Sequence, residues 1–144
     1  MADETNFTAN WKFRAGLNHA PAYQVSGAPY AKAAIDTTHG PDPTAVHFPY
    51  VTKWIQIINN DTSNAVKVAF SARGLAATGS VNYFTVGKGA TGIPLATQVL
   101  DMKVTEIYMT GSTNVDVVAG LTSIHPRSAQ TDTGPNWSGS AGVG

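Results

Sequence analysis

Tyr50-Val51-Thr52-Lys53-Trp54-Ile55-Gln56-Ile57-Ile58 stops at Asn59-Asn60-Asp61, and Ala65-Val66-Lys67-Val68-Ala69-Phe70-Ser71 then resumes. Val66, Val68 and Phe70 share one face of an extended chain, and a period of two is the mark of a half-buried strand. Asn and Asp bond their own backbone and tolerate positive φ, so Asn59-Asn60-Asp61 supplies the turn between two such strands. The pair predicts antiparallel β structure.

Working outward, the pattern repeats at the spacing of about 8–12 residues expected of sandwiches and barrels. Val81-Asn82-Tyr83-Phe84-Thr85-Val86 lies between Gly79-Ser80 and Gly87-Lys88-Gly89. Leu100-Asp101-Met102-Lys103-Val104 alternates, which turns Leu100, Met102 and Val104 inward. Glu106-Ile107-Tyr108-Met109-Thr110 follows, and Val115 to Leu121 begins in alternation and ends as an apolar run. Trp54, Val66, Val68, Phe70, Phe84, Leu100, Met102, Ile107 and Val117 are the expected core.

The first 45 residues are broken by Pro21, by Gly27-Ala28-Pro29 and by Gly40-Pro41-Asp42-Pro43. Ala22-Tyr23-Gln24-Val25-Ser26 reads as one strand there, because Tyr23 and Val25 share a face. Tyr30 to Ile35 suits a turn of helix. Residues 1–45 are therefore expected to form an extended arm with one docked strand, residues 46–125 the body (its first strand from about 20–27), and residues 126–144 a flexible tail. With the Tyr23 strand included, about eight strands are present, the number two Greek keys need for a jelly roll. The fold class is all-β: a single eight-stranded antiparallel jelly roll.

Composition restricts function. The chain has 144 residues, 42% of them hydrophobic, which is enough for one core. Only 12% are charged and the net charge is zero, leaving no electrostatic footprint for nucleic acid or an anionic membrane. Low charge also weakens repulsion between copies, which favours association. Cysteine is absent, so no disulfide framework is available and synthesis in a reducing cytoplasm is expected. The acidic Met1-Ala2-Asp3-Glu4 start lacks the apolar stretch of a signal peptide, and no apolar run approaches the roughly 20 residues that span a bilayer. Without secretion the sequons at Asn6, Asn60 and Asn136 read as chance matches.

Chemistry-bearing patterns are weak. His19, His39, His47 and His125 have no second ligand at metal spacing, and Asp36-Thr37-Thr38-His39 reads as a solvated loop. Asn59-Asn60-Asp61 resembles a cation-binding oxygen cluster but is explained by its turn. Gly87-Lys88-Gly89-Ala90-Thr91-Gly92 lacks the Gly-Lys-Ser/Thr ending of a phosphate loop and the helix that should follow. No serine carries a local His and acid signature. The expectation is a non-enzyme without cofactor or metal. Trp11 and Trp137 lie in the terminal segments, where no local core surrounds them, and read as aromatic anchors on a neighbouring subunit. With Tyr23, Val25 and Tyr30 they are the candidate subunit contacts.

His47-Phe48-Pro49-Tyr50-Val51-Thr52-Lys53-Trp54-Ile55, Val68-Ala69-Phe70-Ser71 with Gly74, Asn82-Tyr83-Phe84, and Val118-Ala119-Gly120-Leu121-Thr122-Ser123-Ile124 follow one another along the chain. In that order they resemble the penton proteins of large icosahedral double-stranded DNA viruses. Ala22-Tyr23-Gln24-Val25-Ser26-Gly27-Ala28-Pro29 is similar to the arm that precedes the fold in that group. The resemblance spans about Ala20 to Ile124. It implies a homopentamer at the capsid vertex, surrounded by major capsid protein, with minor capsid proteins as further candidate partners and the virion as location. No large insertion that could serve as a spike is present. The competing expectation is a carbohydrate-binding or appendage-tip sandwich, with Trp11, Trp137 and Tyr30 lining a sugar platform.

Overall fold

The computed structural model describes residues 15–25, 27–76, 81–131, 134–137 and 139–144. Eight strands form two antiparallel sheets of four: β1 (Ala28–Ile35), β2 (Thr44–His47), β3 (Thr52–Asn59), β4 (Val66–Ala69), β5 (Tyr83–Val86), β6 (Leu95–Ala96), β7 (Glu106–Thr110) and β8 (Val115–Leu121). One sheet has the order β1-β8-β3-β6 and the other β2-β7-β4-β5. The pairings nest: β1 with β8, β2 with β7, β3 with β6 and β4 with β5. Further pairing of β3 with β8 and of β4 with β7 completes each sheet.

Strand parity decides what is inside. Ile55 and Ile57 of β3 meet Ala119 and Val117 of β8, and all four are buried. Val68 of β4 sits opposite Met109 of β7, and Val46 of β2 opposite Ile107. These side chains share one cluster, so the two sheets pack face to face as a sandwich. Burying each such Ile, Val or Met stabilises the fold by roughly 1.5–3 kcal/mol. Phe70, Phe84, Leu100 and Met102 border the cluster, half-buried.

Trp54 departs from the expected core. It has the parity of Gln56 and Ile58, all half-buried on the outer face of the sheet, while Ile55 and Ile57 point in. Its indole lies over Gly120, opposite it on β8, where any Cβ would collide with the ring. Size placed Trp54 inside; parity places it outside.

The N-terminal elements also differ from expectation. The segment read as a strand is a short helix, α1 (Ala20–Gln24), and the segment read as a helical turn is β1. Pro21 explains the first, because its missing N–H and fixed φ suit the opening turn of a helix. Register explains the second: Ala28 to Lys32 pair continuously with Leu121 to Val117, and this pairing overrides the helical preference of the alanines. The body thus begins at β1, which lies within the span expected to be an arm and later than the first strand expected at about 20–27, and β2 starts at that span's end.

The tail was expected to lack a place to bury Trp137. Instead Trp137 packs on the main cluster, and its Nε1 donates to the Phe70 carbonyl at 3.3 Å. A hairpin of β9 (Gln130–Thr131) and β10 (Gly134–Pro135) leads to it, and the Ser71 hydroxyl donates to the Val143 carbonyl at 2.7 Å.

Candidate functional site

The expected subunit contacts do not come together. Helix α1 seats Ala22 against Val51 and Ile124 in a second, smaller cluster, with Leu17 and Tyr23 at its rim. Lys103 Nζ donates to the Leu17 carbonyl at 3.0 Å and lies 4.7 Å from the Tyr23 ring centroid. Lys53 Nζ donates to the Val25 carbonyl at 2.8 Å. Two lysines therefore hold residues 17–25 on their own chain. Burial raises the pKa of the Tyr23 hydroxyl, because the phenolate would lose water. Tyr30 turns inward, edge-on to Phe48 at 5.1 Å. Of the four described contacts only Val25 presents an open apolar side chain, 62% exposed; Trp11 lies outside the described residues.

A polar lock closes one end of the sandwich. Asp61 Oδ1 accepts from the backbone N–H of Ser63 and Asn64, and Oδ2 accepts from the N–H and hydroxyl of Thr113 and from Asn64 Nδ2. These donors, the Thr113 and Ser63 amides foremost, hold its carboxyl well below the usual carboxylate range. Buried Asn59 accepts from Ser112 Oγ and donates to the carbonyls of Asn64 and Gly87. The Thr37 hydroxyl donates to the Ser112 carbonyl and accepts from its N–H. Four loops are tied by oxygens that a cation would otherwise need. The Asn59-Asn60-Asp61 turn is thus a structural joint, and among the described residues no three His, Cys, Asp or Glu side chains group as a metal site.

On the outer face of the other sheet, buried Glu106 accepts from the Tyr108 hydroxyl at 2.9 Å and meets His47 Nδ1 at 3.1 Å. Burial, together with the Glu106 hydrogen bond and charge, pushes Tyr108 up to about 12.

Sequence reasoning passed over one surface. Ile93, Leu95 and Val99 are 69%, 45% and 53% exposed along the β6 edge, unusual for branched apolar side chains that lie so close together. A tight turn at Thr91-Gly92, closed by reciprocal hydrogen bonds between Ala90 and Ile93, projects Ile93. The signal was present as a charge-free run from Gly89 to Leu100.

No family model, curated protein or solved structure matches this chain. Its surfaces and topology carry the functional reading.

Proposed function

We propose that this chain is a structural capsid subunit, a single jelly roll that forms the pentameric vertex of an icosahedral virion beside the major capsid protein. The observation that carries the reading is the nesting of strand pairs, first with eighth through fourth with fifth, divided between two four-stranded sheets. A long hairpin rolled upon itself has this order, and jelly rolls recur in viral capsid shells. The ordered likeness of residues 47–55, 68–74, 82–84 and 118–124 to penton proteins, the zero net charge and the exposed apolar edge support the same role. Native mass spectrometry of the purified chain is expected to give a homopentamer, and density averaged at the vertex of its particle should fit this fold. A strictly monomeric chain and a vertex of different shape would defeat the reading.

One observation favours the carbohydrate-binding alternative: Trp54 stands on an outer sheet face beside Gln56. Two of its three expected platform residues, Trp137 and Tyr30, pack inward instead. Glycan-array binding abolished by Trp54→Ala would favour that alternative.

A further inference from the structure

We infer that the ring closes by apposing the β6 edge of one copy to the β1 edge of the next; this deepens the pentamer reading and rests on it. A cyclic ring needs two different, complementary patches on opposite sides of each subunit. The sheet β1-β8-β3-β6 presents them at its two ends.

The shapes are complementary. The β6 edge projects Ile93, Leu95 and Val99, whereas β1 exposes Ala31, Ala33 and Ala34, a low surface into which branched side chains can settle. Pro29 and the register shift between Lys32 and Ile35 obstruct continuous strand addition on β1, so the contact is made by side chains.

Charge supplies direction. Start at the end of the sheet closed by the Asp61 lock, where Ile35, Val115, Asn59 and Leu95 form one row. Descending the β1 edge, exposed Asp36 comes first and exposed Lys32 second. Descending the β6 edge, exposed Lys88 comes first, beside Gly87, which abuts Leu95, and exposed Asp101 second, after Leu100, which bridges Ile55. Copies related by rotation about an axis along the strands all point the same way. Acid and base then follow one another in matching order along the two edges: Asp36 faces Lys88, and Lys32, in the row of Ile57, reaches down toward Asp101, which lies just below the row of Ile55. The side chains of Lys32, Lys88 and Asp101 make no ion pair or hydrogen bond among the described residues. In an edge-to-edge ring all three gain a partner, and like charges in their place would oppose closure.

The absence of cysteine makes the test clean. Ala33→Cys and Ala96→Cys, level with each other between the rows of Ile57 and Asn59, lie in one chain across three strand spacings, about 14 Å, too far for a bond within the chain. Oxidation of the assembled protein is expected to give a ladder of covalent oligomers ending in a closed ring. Asp101→Lys should raise the concentration at which the ring half-assembles by about tenfold, and Lys32→Asp with Asp101→Lys should bring it back within about threefold of the parent. Thermal melting of each variant separates lost assembly from lost folding. A pentamer that survives Asp101→Lys and gives no interchain ladder overturns the edge contact and leaves the pentamer intact. A parent chain that forms no ring at any concentration overturns the pentamer, and the edge contact with it.

Discussion

Ala34 has φ of 56°, the one non-glycine residue among those described with positive φ, and its N–H donates to Asp116 Oδ1 at 2.9 Å. Left-handed backbone costs alanine about 1 kcal/mol or more, so Ala34→Gly is expected to stabilise the fold by about 0.5–1 kcal/mol in chemical denaturation. Trp54 and Ile57 differ in parity, and their truncations should differ accordingly: Ile57→Ala costs about 2–5 kcal/mol, while Trp54→Ala costs about 1 and leaves a cooperative melt. Asp61 tests the lock through pH. Its carboxyl is depressed in the folded state, so its contribution is complete above the ordinary carboxylate pKa and is lost as pH falls below about 4. Asp61→Asn should therefore melt lower at neutral pH and lose less on acidification, as calorimetry across that range would show. Val66, Val68, Ile107 and Val117 were legible as core because polar neighbours such as Lys67 and Asp116 mark their parity. Trp54 carried the same parity signal through Ile55 and Ile57, and residue size overrode it.

Among elements, α1 and β1 exchange the roles their local sequence suggests. Two alternating residues, Tyr23 and Val25, are too short a pattern to outweigh Pro21 as a helix opener. The alanines of β1 prefer helix locally, and their extended conformation is imposed by β8, more than 80 residues away. No local reading reaches that distance. Helix α1 has five residues, far below what is stable alone, so it persists through Ala22 and the two lysine clamps. Ala22→Glu is expected to lift it from Val51 and Ile124, at a cost of about 1–3 kcal/mol, with new protease cleavage within residues 17–25 detected by mass spectrometry. The exposed residues of the β6 edge were readable only as a run without charge. Their exposure depends on β6 being a two-residue strand with nothing packed outside it, which is a property of the finished sheet.

For the whole molecule, β3, β4, β5, β7 and β8 were readable from periodicity, whereas β1, β2 and β6 were not, residues 100–104 form no strand, and the order within the sheets was hidden because every pairing in the two four-stranded sheets except β4 with β5 skips intervening strands. That order governs when the protein can exist at all. During synthesis β1 and β3 emerge early, yet in the finished sheet they do not touch; β8 lies between them, as β7 lies between β2 and β4. A nascent chain that stops before Val115 lacks the central strand of one sheet, and its Ile55 and Ile57 have no Ala119 or Val117 to face. Chains arrested there on the ribosome are expected to remain protease-sensitive, while chains extended past Leu121 become resistant. Folding of the sandwich is thereby withheld until translation of the body is nearly complete.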